Sequence, residues 1–132
     1  MLNPIDIRGP GEYLMEIVGE SHYQEALSTI CGGRIEGGHN LKVAALLICD
    51  DKNPYDNKAI RIEIKGETVG HLDRERAREY RKKLTQADLL GRTVVCPAII
   101  EGGGAKGSWS AFGVRLDIGI NPFNRKVHII DF

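Results

Sequence analysis

Ala59-Ile60-Arg61-Ile62-Glu63-Ile64-Lys65-Gly66-Glu67-Thr68-Val69-Gly70-His71-Leu72 decides the fold class. Ile60, Ile62 and Ile64 alternate with Arg61, Glu63 and Lys65, which puts three apolar side chains on one face and three charged ones on the other. A period of two with that contrast is satisfied by a half-buried strand. Lys65-Gly66-Glu67 then turns the chain back into Thr68–Leu72, so residues 59–72 predict a β-hairpin.

Reading towards the N-terminus, Leu41–Cys49 is apolar on both parities, as a strand covered on both faces would be, although its length also suits a buried helix. Glu12–Val18 predicts a first strand with Tyr13, Met15 and Ile17 on one face, broken by Gly19. Towards the C-terminus, Asp73 can cap a helix running to about Leu84, with Ala77, Tyr80 and Leu84 forming a narrow apolar stripe. Arg74, Arg78, Arg81 and Lys82 lie on one shoulder of that stripe, as an ordinary solvated face or as a phosphate track, and Glu79 and Lys83 are spaced for a pair. Gly91-Arg92 leads into a strand over Thr93–Ile100, where Pro97 suggests an edge or a bulge. After the glycine-rich loop Gly102–Gly107, a strand from Trp109 to Ile120 carries Phe112, Val114, Leu116, Ile118 and Ile120 on one parity. Val127–Phe132 reads as a short extra strand. The expected fold is mainly β with one helix: a small barrel of six or more strands, oligonucleotide-binding-like or, alternatively, SH3-like.

The 132 residues form one domain, 1–132, of a size that can bury a core without a disulfide or a metal. Cys31, Cys49 and Cys96 are odd in number and widely spaced, and His22, His39, His71 and His128 form no ligand motif, so neither a disulfide framework nor a metal or other cofactor is expected. No apolar run approaches the roughly 20 residues that span a bilayer, and the N-terminus lacks the pattern of a signal peptide, so the expected location is the cytoplasm. Zero net charge hides an asymmetry: residues 1–30 hold five acidic residues against one basic, whereas 73–92 hold seven basic against four acidic. That separation can present a local basic patch on a neutral molecule.

Asp50-Asp51-Lys52-Asn53-Pro54-Tyr55-Asp56-Asn57-Lys58-Ala59-Ile60 reads by itself as a polar loop built from turn formers. Its Asn53-Pro54-Tyr55-Asp56 and Ala59-Ile60, followed by Val69-Gly70-His71-Leu72 and Arg74-Glu75, resemble the signature of the HIRAN domain family. Gly19-Glu20-Ser21-His22-Tyr23 is similar to that family's segment after the first strand. The likeness covers about residues 12–120, leaving 121–132 as a C-terminal extension. It implies an oligonucleotide-binding-like barrel that captures the 3′ end of single-stranded DNA, acting beside a helicase or repair protein. It further implies that Tyr55 and Asp56 contact the terminal nucleotide, that His71 and Arg74 face phosphates, that His22 and Tyr23 offer ring faces, and that Trp109 stacks on a base. His22 stands where the family often has an aromatic.

For Trp109 the residues supply their own argument. In a regular strand its parity is opposite to Phe112, Val114 and Leu116, so the indole faces outward, whereas a bulge would return it to the core. Catalysis has little support. Gly104-Ala105-Lys106-Gly107-Ser108 has the composition of a phosphate loop in the wrong order, and Asp50, Asp51 and Asp56 have no second acidic cluster to complete a two-metal site. The sequence therefore points to a nucleic-acid-binding module without catalysis, with a protein-interaction module on the same fold as the alternative.

Overall fold

The structure, a computed structural model, describes residues 2–119 and 122–123. In chain order the elements are β1 (Ile5–Asp6), β2 (Met15–Glu16), a 3₁₀ turn (Glu20–His22), α1 (Gln24–Cys31), β3 (His39–Asp50), β4 (Ala59–Ile64), β5 (Glu67–His71), α2 (Arg74–Gln86), β6 (Val94–Gly102), a second 3₁₀ turn (Lys106–Ser108) and β7 (Gly113–Leu116). The hairpin forms as its pattern requires. Lys65 and Gly66 both take positive φ, 51° and 82°, the two-residue turn whose twist matches that of the strands it joins. Ile60, Ile62 and Ile64 are fully buried, while Arg61 and Glu63 lie on the outer face and pair with each other.

The sheet runs β2-β7-β6-β3-β4-β5, antiparallel throughout, with β1 added parallel to β6. It curls in a barrel-like manner until Val18, just beyond β2, bridges His71 of β5. Val18 N–H donates to the His71 carbonyl at 2.8 Å, and His71 N–H donates to the Val18 carbonyl at 2.9 Å. Inside lie Leu47, Ile60, Ile62, Val94, Cys96, Ile100, Val114 and Leu116, with Ala77, Tyr80 and Leu84 of α2 packed against the same core.

Several expectations need correction. Among the described residues there are two α-helices where one is expected: Leu27, Ile30 and Cys31 have helical spacing, and Gly32, at φ 78°, closes α1. The outer face of β3 is only partly covered, with Ala44 exposed and Leu46 and Ile48 half-buried. Pro97 lies within β6, an interior strand, opposite Ala44 of β3. Its carbonyl accepts from Asp117 N–H, on the side where β1 ends and β7 begins, so the N–H that proline lacks would have faced that junction and the β3 ladder loses nothing. The first strand shrinks to two residues and the Val18 bridge because Tyr13 adopts φ 52°. β7 spans only Gly113–Leu116, although Phe112, Val114, Leu116 and Ile118 are buried as their parity requires. Asp117 is also buried, its carboxylate accepting from Gly11 N–H at 2.9 and 3.1 Å. Ile120 and the strand expected at Val127–Phe132 lie outside the described residues.

Candidate nucleic-acid interface

The loop between β3 and β4 is organised by its own side chains. Asn53 Oδ1 accepts from the backbone N–H of Tyr55 at 2.9 Å and of Asp56 at 3.2 Å, and Asn53 Nδ2 donates to Asp50 at 3.2 Å. Asp56 Oδ1 accepts from Lys58 N–H at 3.0 Å. These bonds leave Tyr55 at the tip, 88% exposed.

Asp73, accepting from Arg76 N–H at 2.8 Å, starts α2 beside this loop. The arginines on its basic shoulder then reach across to it. Arg78 grips the Asp56 carboxylate with two bonds of 3.0 and 3.1 Å, and Arg81 donates to the carbonyls of Lys58 (2.7 Å) and Ala59 (2.9 Å) and to Asp51 (2.8 Å). Arg81 is mostly covered and anchors the loop, whereas Arg78 remains half-exposed while gripping Asp56, and Lys82 is exposed. Arg74 donates to the Tyr55 carbonyl at 3.2 Å and holds its Nε 3.6 Å from Asp56, yet most of its side chain is exposed. The Arg78 fork, with help from Lys58 N–H, lowers the Asp56 pKa to about 2. Oδ1 accepts from two donors and Oδ2 from one, with Arg74 Nε approaching Oδ2 at the longer 3.6 Å, and the carboxylate is mostly covered.

His71 closes the barrel through its backbone and turns its half-buried ring towards the same region. The ring lies 6.3 Å from that of Tyr23, and Nε2 lies 3.9 Å from Asp50, whose carboxylate also pairs with Arg61 at 3.2 Å. Burial pushes the imidazole pKa below its ordinary 6.5, with Asp50 opposing the shift and Arg61 adding to it, so the neutral ring is favoured. His22 is exposed in the first 3₁₀ turn, one residue before Tyr23.

Trp109 stands elsewhere. It follows the second 3₁₀ turn and is not in a strand, so the parity argument reaches the right exposure, 64%, through a strand that does not exist there. Its ring is the outermost member of a column. The Arg34 guanidinium lies 4.6 Å from the Trp109 ring centre and 5.1 Å from that of the buried Phe112, and Phe112 stacks on His39 at 5.7 Å. Arg34 also donates to the carbonyls of Gly104 (3.0 Å) and Ser110 (2.6 Å). Nothing in the sequence points to Arg34 or His39, because the two segments that form the column are separated by about seventy residues and neither is periodic.

The structure thus brings Tyr23, Tyr55, Asp56, His71 and Arg74 into linked neighbourhoods around the β3–β4 loop and the start of α1, and sets Trp109 apart beyond the end of α1. Gln24, in the first turn of α1, bonds both backbone groups of Phe112, tying the Trp109 segment along the helix. Eight helical residues span about 12 Å, which sets the scale of the surface between Tyr23 and the Arg34–Trp109 pair. An apolar cavity of about 620 Å³ on the other flank of α2, lined by Tyr13, Leu14, Met15, Leu72, Tyr80 and Ile118, includes none of the expected site residues. Among the described residues no cluster of three or more His, Cys, Asp or Glu side chains could hold a metal ion, and no helix is long and apolar enough to cross a membrane. Comparison of the chain with protein-family models, curated proteins and solved structures finds no match.

Proposed function

We propose that this chain is a HIRAN-like module that binds the 3′ end of single-stranded DNA and performs no chemistry of its own. The observation that carries this reading is the placement of the exposed aromatics. In a chain with 6% aromatic residues, Tyr55 and Trp109 are the two presented most openly among the described residues, one beside Asp56 and Arg74 and the other on Arg34. Exposed rings beside arginines are the elements of a sequence-tolerant single-strand site, in which bases stack and phosphates meet local positive charge. At about 3.4 Å per stacked nucleotide, the 12 Å along α1 corresponds to roughly three or four nucleotides. A terminal hydroxyl would bond Asp56 Oδ2 in place of the longer Arg74 approach, and the exposed Arg74, so released, suits the adjacent phosphate. A helicase or repair protein acting in trans would supply the enzymatic step.

Titration with labelled ten-base oligonucleotides tests this reading. A free 3′-hydroxyl should bind more tightly than a 3′-phosphate, because the phosphate brings negative charge to an ionised Asp56 and donates no hydrogen bond in its dianionic form. Asp56→Asn should narrow that preference. Equal affinity for both ends removes the assignment of Asp56, and no oligonucleotide binding at all would leave the protein-interaction reading in its place.

A further inference from the structure

We infer that Arg34 is a positioning residue of the interface, holding the Trp109 indole as a fixed plate for base stacking; this rests on the nucleic-acid reading above. An isolated exposed indole samples several rotamers, and a base that stacks on it must first select one, at an entropic cost. Trp109 is relieved of much of that cost. One face of its ring is covered by a guanidinium plane that is itself immobilised from three sides. Two hydrogen bonds tie it to the carbonyls of Gly104 and Ser110, on either side of Trp109 in the chain, and the ring of the buried Phe112 also lies against it, 5.1 Å from centre to guanidinium carbon. The two backbones are laced together as well. Ile35 N–H donates to the Gly103 carbonyl at 3.2 Å, Ala105 N–H to the Ile35 carbonyl at 3.1 Å, and Gly37 N–H to Ser108 Oγ at 2.8 Å.

Arginine suits this role and lysine does not. The guanidinium is planar, stacks on an aromatic face and still presents N–H groups in its own plane for the two carbonyls, whereas an ammonium is a point charge that cannot cover a ring and fork between carbonyls at once. The order His39, Phe112, Arg34, Trp109 runs from the sheet outward, and a base on the free face of the indole would extend the same column by one plate.

Arg34→Lys preserves net charge, so it separates positioning from simple attraction to phosphate. In the free protein the substitution should lower the amplitude of the slow component of Trp109 fluorescence anisotropy decay in favour of a fast one and raise acrylamide quenching, with the thermal midpoint recorded alongside. Oligonucleotide affinity should fall about three- to tenfold, the worth of one cation–π contact, with an unchanged salt slope. In a Trp109→Leu background the same change should have almost no effect on affinity. An undiminished loss in that background, or an indole as ordered in the Arg34→Lys variant as in the unmodified protein, overturns the positioning role while leaving nucleic-acid binding standing. Failure of the unmodified protein to bind any oligonucleotide overturns both.

Discussion

His71 combines two duties in one residue: its backbone seals the barrel, and its half-buried ring faces Tyr23 and the Asp50–Arg61 pair. Its pKa in the free protein lies below 6.5, so protonation is harder folded than unfolded. The stability linked to this group is therefore complete above pH 6.5 and declines as pH falls through the lowered folded value. Binding has the opposite sign. A phosphate placed near the ring raises its pKa, so complex formation should take up a proton and oligonucleotide affinity should increase from about pH 7.5 to about 5.5. His71→Gln should flatten that dependence, as read by titrations at several pH values. A wild-type affinity that is flat over the same range would remove His71 from the phosphate contacts. Asp56 behaves differently: held at a pKa of about 2, it keeps its charge and its hold on Arg78 down to about pH 4, and loses both only as pH falls from there towards 2.

At the scale of elements, α2 and the β3–β4 loop form one unit through Arg81. Its side chain is mostly covered and reaches the Lys58 and Ala59 carbonyls and Asp51. Arg81→Met keeps the aliphatic stem and removes these charge-assisted bonds, so it should cost roughly 1.5–3 kcal/mol in denaturant unfolding. Amide exchange at Tyr55 and Asp56 should quicken, and oligonucleotide affinity should fall although Arg81 is not itself at the proposed ligand. Unchanged exchange in the loop would mean that its internal Asn53 bonds hold it unaided. This coupling also marks the limit of what the sequence conveys. The hairpin, the span of α2 and its cap are legible because each rests on local periodicity or capping chemistry, and Tyr55 and Asp56 stand out through one contiguous motif, with Arg74 in a separate segment of the same signature. The use of Arg78 and Arg81 as loop clamps is not legible, because it depends on partners more than twenty residues away. α1 escapes a sequence reading for another reason: it is only eight residues long and buries one of them, Leu27, so its periodic signal is faint.

For the molecule as a whole, the decisive contact is the seam where the sheet meets itself, two hydrogen bonds between Val18 and His71. Gly70 makes that approach possible. A Cβ there would lie 2.6 Å from the Val18 carbonyl oxygen and 2.8 Å from Ile17 Cδ1, and the carbonyl is backbone that cannot swing aside. Gly70→Ala should therefore force the two ends apart and cost roughly 1–3 kcal/mol from the clash, before the loss of the two hydrogen bonds is counted. Gly66→Ala is the matched control. Gly66 also has a positive φ, 82°, but open space surrounds it, so that substitution should cost only about 1 kcal/mol of backbone strain and leave the seam intact. Because His71 lines the proposed interface, opening the seam should also displace its ring from Tyr23, and oligonucleotide binding should weaken in Gly70→Ala but not in Gly66→Ala. Equilibrium unfolding, exchange rates of the Val18 and His71 amides and oligonucleotide titration of both variants read these outcomes together. Slow Val18 and His71 exchange in Gly70→Ala, with no greater loss of stability than in Gly66→Ala, would show that the sheet holds its curvature without the seam, and the link from barrel closure to binding would be lost.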